Sequence, residues 1–323
     1  QANGKRVLPA WRFVDESAKG KLTCKPYPDG PQVEFMSSVR TCLAYLTDDV
    51  QAGLRATLTA ARKVDPTCNL SIANTCKLTK VQIAQAPKKY LEFGCDPSQN
   101  VYGLRGALDD QNIAMRSAGY HMHLNATRSS GTTTKEDIHN AIRAIDGVLG
   151  IYVTACAAGL EDPARRLLYG LPGEHRLKNI SKGYFEYRVL GPVVMISPEF
   201  HHACWEIFRW AAKFGMSGWF DKAWAASEDD IISTILRCDV ETARKIMHDN
   251  KQMFIGLFNS KISNGAAAHE LAMKGIAELR PDLCEPNAIE REWKLSKTWI
   301  SHSDDSKRVW ALNGAKFIRQ STA

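Results

Sequence analysis

The stretch Gly119-Tyr120-His121-Met122-His123-Leu124 sets two ionisable rings two residues apart in an apolar run. As a strand it turns His121 and His123 to one face and Met122 and Leu124 to the other, because strand side chains alternate. Gly119 lets the backbone pass close to a ligand or a neighbouring strand. Phe185-Glu186-Tyr187-Arg188 repeats the arrangement, with Glu186 and Arg188 on a common face. Val33-Glu34-Phe35-Met36 carries a lone carboxylate between hydrophobes. Strands of this kind fit a sheet with one dry face and one polar face. The ionisable groups of the polar face must pair or bind metal, because burying them otherwise is costly. That patch is the candidate active site. Taken alone, His-x-His reads as surface or hydrogen-bonded core histidines. Glu-x-Arg alone reads as a cross-strand ion pair worth little. The ordered combination is what points to a site.

A chain of 323 residues holds one large domain or two modest ones. Its 44% hydrophobic and 24% charged content is that of an ordinary globular protein. The net charge of +7 contains no long Lys/Arg run. It suits anionic partners such as nucleotides and gives no reason to expect specific nucleic-acid binding. Nine cysteines without a Cys-x-x-Cys pair read as reduced thiols of a cytoplasmic protein. The longest uncharged stretch, 148–160, is too short to cross a membrane, so no membrane partner is expected. No apolar leader opens the chain, and it starts without Met, as a trimmed protein would.

Along the chain, 7–14 is apolar, but Pro9 suits an edge or a break. The 33–36 strand carries Glu34, which on its own reads as an exposed carboxylate. Val39, Leu43, Leu46, Val50, Leu54 and Leu58 predict a helix over 38–63, stopped at Asp65-Pro66. A strand is expected over 69–73 and a single organising strand over 113–124. Cys95 reads as a buried thiol. Thr134, with Asp137 three residues on, predicts a capped helix running to about 158. The stretch 162–176 reads as a loop bearing Arg165, Arg166 and Arg176. Guanidinium forks there suit phosphate, although from the residues alone a solvated basic loop is the better reading. The aromatic-rich helical region 198–224 reads as core, and His201-His202 within it as incidental. Ser227 and Asp239 predict N-caps of helices over 228–237 and 240–249. Asn313-Gly314 suits a hairpin turn. The division expected is 1–225 for the catalytic part and 226–323 for a helical C-terminal region.

Four blocks in order, LEFGCDP (91–97), RSAGYHMHLN (116–125), RRLLYGLPGEHR (165–176) and FEYRVLGP (185–192), carry a resemblance. Together they resemble the phage-encoded carboxylate–amine ligases, amidoligases of the glutamine synthetase and glutamate–cysteine ligase superfamily. The resemblance runs over about 7–224. It implies an α+β fold: a curved, mainly antiparallel sheet, helices on one face and a helical C-terminal region. It implies ATP and Mg2+ as cofactors and an acyl-phosphate route from carboxylate to amide. The second substrate would be a peptide, a cell-wall fragment or another small amine. It places Glu34 at one metal and His121 with Glu186 at a second. It places His123 near the nucleotide phosphates. Arg188 would contact the transferred phosphate, helped by Arg116 and by Arg165, Arg166 or Arg176.

One departure stands out. The family's first strand carries an acidic Gly-x-Asp-Pro-Glu type motif, and none precedes Val7. The resemblance therefore allows two expectations. One is a working ligase in the cytoplasm of an infected host. The other is a weakened or inactive copy of the fold serving as a virion component, alone or as a homo-oligomer. A zinc hydrolase using His121 and His123 ranks last, because no further ligand completes a zinc spacing.

Overall fold

The computed structural model describes residues 7–18, 23–91, 98–106, 115–126, 132–258, 264–295, 308–313 and 316–321. It is a mixed helix-and-strand protein whose strands form small antiparallel sheets not closed into a barrel. Cys95 and the rest of the 92–97 block lie outside the described residues.

Ala10–Arg12 form a 3-10 turn just after Pro9, where an edge strand or a break is expected. Strands β1 (Tyr27–Asp29) and β2 (Gln32–Glu34) make a short hairpin that sets Glu34 opposite Tyr27. Helix α1 (Leu43–Val64) buries Leu46, Val50, Leu54, Leu58 and Ala61, a stripe at helical spacing. It starts later than its periodicity predicts. Asp49 accepts from the Ser38 amide and from both ends of the Arg40 fork, which ties the lead-in down as a non-helical segment. Val39, expected on the core stripe, is fully exposed as a result.

No strand forms over 69–73. The pairing falls just beyond, between β3 (Thr75–Lys77) and, later in the chain, β5 (Met115–Ser117). Between them come α2 (Lys80–Gln85), with a Thr79/Gln82 capping box, and the short strand β4 (Gln99–Asn100). The expected single strand over 113–124 is two strands. β5 pairs with β3, and β6 (Tyr120–Asn125) joins a different sheet. The change of partner falls at Ala118 and Gly119, where the Ala118 amide donates to the Asn74 carbonyl.

Helix α3 (Lys135–Ile145) begins at the predicted Thr134/Asp137 capping box. It passes through a π-helical turn, Asp146–Gly150, into α4 (Ile151–Cys156). The short α5 (Ala164–Leu168) then leads to β7 (Glu174–Asn179) and β8 (Tyr184–Leu190). The predicted basic loop over 162–176 is thus a helix, a turn and the start of a strand. Helices α6 (Pro198–Met216), α7 (Phe220–Ala223), α8 (Glu228–Arg237) and α9 (Val240–Asp249) follow. After them come α10 (Lys251–Phe258), α11 (Gly265–Lys274), α12 (Ile276–Leu279) and α13 (Ala288–Glu292). Strands β9 (Arg308–Asn313) and β10 (Lys316–Ser321) pair antiparallel with Asn313 opposite Lys316, and Gly314 of the expected turn lies outside the described residues.

The main sheet has the order β4-β7-β8-β6, all neighbours antiparallel. Its dry face presents Met122, Phe185, Tyr187 and Val189, all fully buried. Phe208 of α6 meets the Phe185 and Tyr187 rings, and the Tyr187 hydroxyl donates to Asp146 of the π turn at 2.6 Å. The same apolar cluster continues through Ile235, Met247, Phe254 and Leu271. The helical C-terminal region therefore shares its core with the sheet across the boundary expected at 225/226. A second, smaller cluster sets Trp293 against Val50, Leu54 and Leu58 of α1.

Helices α3 and α6 approach closely at Gly215, which lies against the Asn140 carbonyl and the Ala141 backbone. A β-carbon there would press well inside contact distance of backbone that cannot swing away. Gly215→Ala is expected to destabilise the protein by about 2 kcal/mol, the usual scale for overpacking. A fall in thermal midpoint with unchanged far-UV dichroism would show it; an unchanged midpoint would mean that the two helices can part freely.

Candidate active site

The polar face of the main sheet is built by register. β8 pairs Glu186 with His123 of β6 on one side and with Arg176 of β7 on the other. Period 2 then brings His121, Lys178 and Arg188 to the same face. An irregularity between Tyr120 and Met122, where two steps of β6 oppose three of β8, lies next to His121. Such bulges re-aim side chains beside sites.

Glu186 is the centre. Its carboxylate is almost wholly buried. It accepts from the Arg188 guanidinium at 2.9 Å and lies 3.1 Å from His121 Nδ1. Its second oxygen faces Lys178 Nζ at 3.4 Å and Arg176 at 3.7 Å. Burial alone would raise the Glu186 carboxyl. The His121 contact and the Arg188 charge outweigh it and hold the group well below the usual carboxylate range. Burial pushes His121 down to about 4, so its ring is neutral at pH 7. With Nδ1 on a carboxylate, the neutral ring carries its proton there, and Nε2 accepts from the Tyr169 hydroxyl at 2.7 Å. Burial also lowers His123, whose Nδ1 lies 3.2 Å from the Tyr184 hydroxyl.

The face divides into a floor and a rim. Glu186 and Arg188 form the floor; Arg188 is 1% exposed and lies 4.9 Å from the centroid of the Tyr169 ring. Lys178 and His123 stand in the rim, and Arg176 and Tyr169 are partly open. Arg188, expected to touch a transferred phosphate, therefore lies beneath the groups that a ligand would meet. With the two histidines neutral, three cations of this face lie against one carboxylate among the described residues. That balance is positive and suits an anion.

The other expected arginines lie elsewhere. Arg165 is fully buried and donates to three carbonyls: Ala118 at 2.7 Å, Val189 at 2.8 Å and Leu190 at 2.7 Å. Arg166 is buried as well, bonded to the Gly170 and Val189 carbonyls and 3.6 Å from Glu161. These two guanidiniums tie the α5 turn to the sheet, which corrects their reading as phosphate-binding loop residues. Arg116 sits on β5, in the other sheet, buried and donating to the Leu91 carbonyl. Of the predicted set, the register brings together His121, His123, Arg176, Glu186 and Arg188. Glu34 stands on its separate hairpin.

Three members of the face were not expected from sequence: Lys178, Tyr169 and Tyr184. Lys178 follows Arg176 at strand spacing, a signal that reading 162–176 as a loop conceals. Tyr169 ends α5 in extended backbone, and Gly170 at φ +76° then turns the chain away. His201, read as incidental from the sequence, is a fully buried core group. It accepts at 2.6 Å from Tyr120, which itself accepts from Trp205.

Magnesium takes oxygen ligands. Here both Glu186 oxygens face protein cations, and the His121 Nε2 lone pair is taken by Tyr169. Among the described residues, no three His, Cys, Asp or Glu side chains converge as a metal would require. The arrangement around Glu186 does not fit the metal that the resemblance implies. Comparison with family models, with curated proteins and with solved structures finds no match to this chain.

Proposed function

We propose that the rim of this face holds the phosphates of ATP and that the protein is a carboxylate–amine ligase with a glutamine synthetase-like sheet. The observation that carries the reading is the positive balance of charge around Glu186, on a sheet whose other face is covered by helices. Arg176 and Lys178 are the cations that a ligand reaches, with His123 beside them. Arg188 acts from below by fixing Glu186. The reaction joins a carboxylate, activated as its acyl phosphate, to an amine. The chain's part is to hold two anionic groups side by side and neutralise their charge. No step is assigned to magnesium at Glu186, because the residues there do not fit it.

The test is calorimetric titration with ATP, with and without magnesium. The unmodified protein is expected to bind. Arg176→Gln and Lys178→Ala are each expected to weaken binding about tenfold, equivalent to about 1.4 kcal/mol. Added salt should weaken it further, because the contacts are charge on charge. A protein that ignores ATP at millimolar concentration, or variants that bind as well as the parent, would sink the reading. A second reading is a virion component that keeps the fold without turnover. It is favoured by one observation: the chain's own cations already surround Glu186. Stoichiometric recovery of the protein in purified particles, with no ATP binding, is its expected signature.

A further inference from the structure

We propose that Tyr169 is the proton-transfer residue of this face, with His121 as its base and Glu186 as the carboxylate that holds His121. The identity of the proton donor, an amine, rests on the ligase reading; the relay itself does not. Tyr169 Oη lies 2.7 Å from His121 Nε2, and His121 Nδ1 lies 3.1 Å from Glu186 Oε1. A hydroxyl, an imidazole and a buried carboxylate thus stand in line, each within reach of the next. The logic is that of a hydroxyl–histidine–carboxylate triad with a phenol in the first place.

The surroundings favour charge on the phenol. The Arg188 guanidinium carbon lies 4.9 Å from the ring centroid and that of Arg165 lies 5.9 Å away. Cations against the ring stabilise negative charge developing on it. The pair also has room made for it. Gly119 faces both rings: a β-carbon there would come within 3.2 Å of His121 Nε2 and 3.3 Å of the Tyr169 ring. Tyr169 is partly exposed, unlike Arg188 beneath it.

In the proposed reaction the amine nitrogen attacks the acyl carbon with its lone pair and the C–N bond forms. The bond from the acyl carbon to the phosphate oxygen breaks, and phosphate leaves with that electron pair. The nitrogen's surplus proton passes to Tyr169 Oη as the phenol's own proton passes to His121 Nε2. The imidazolium so formed stays paired with Glu186 until its proton returns to solvent.

The relay can be tested on the whole chain without knowing the substrates. An aryl sulfonyl fluoride reports an activated phenol: the oxygen attacks sulfur, the S–O bond forms, fluoride leaves with the S–F electron pair, and the proton goes to the base. Mass-spectrometric mapping should find Tyr169 labelled first among the nine tyrosines, faster than the more exposed Tyr45. His121→Gln should slow labelling about tenfold or more. Gly119→Ala, whose β-carbon would press on both His121 Nε2 and the Tyr169 ring, should slow it as well. His248→Ala, on an exposed helix end, should leave the rate unchanged. Labelling of Tyr169 no faster than of Tyr45, or a rate indifferent to both His121→Gln and Gly119→Ala in folded protein, would overturn the proposal. Selective, His121-dependent labelling in a protein that does not bind ATP would keep the relay and remove the ligase.

Discussion

Glu186→Gln is expected to cost about 4 kcal/mol of stability, a large share of the total a domain usually has. The substitution keeps the shape and the His121 contact, but removes the charge that the buried Arg188 guanidinium faces at 2.9 Å. Removing one partner of a buried pair leaves the other charge desolvated, which is why the loss exceeds the net worth of the pair. Replacing both, as Glu186→Leu with Arg188→Met, should recover most of it. The loss should also depend on pH. Glu186 titrates below its ordinary 4.5 in the folded protein. Its contribution is therefore present above that value and lost as pH falls from 4.5 toward the lowered one. Urea unfolding should show parent and Glu186→Gln well separated at neutral pH and converging in acid. Equal stability at neutral pH would mean that the carboxylate is unimportant to the fold.

Arg165→Met is expected to do comparable damage by a different route. It takes the Arg165 fork from the carbonyls of Ala118 and Leu190 and leaves that of Val189 to Arg166. Each buried carbonyl that loses its donor costs about 1–3 kcal/mol, partly offset by no longer burying a charge, so a net loss of about 3 kcal/mol is expected. Burial already pushes the Arg165 guanidinium down to about 10, still protonated at pH 7. Arg165→Lys offers a single ammonium and cannot reproduce the planar fork; it should lose about half as much. The check is the unfolding midpoint in urea, with Arg143→Met, a more exposed arginine, as the reference substitution. A midpoint equal to the reference would show that the Ala118 and Leu190 carbonyls find water or other donors.

Period 2 made the polar face legible: His121 with His123, and Glu186 with Arg188, share a face as their spacing requires. The Thr134/Asp137 cap and the α1 stripe were legible for similar local reasons. The partner change at Ala118 and Gly119 was not. Local pattern cannot say which strand a segment pairs with, and only Ala118 and Gly119 separate β5 from β6. Lys178 and Tyr169 join the face through register and a turn, both tertiary facts. Arg165 and Arg166 misled because arginine is rarely buried. Only the fold reveals that a glycine-flanked turn seats them against free carbonyls.

The division into floor and rim bears on how such a chain would drift if its chemistry were no longer needed. Selection for folding alone would keep Glu186, Arg188 and Arg165, since each loss there costs the fold. The same selection would act only weakly on Lys178 and His123, at the rim. Among descendants, an intact floor would mark a protein that still folds, and an intact rim one that still works.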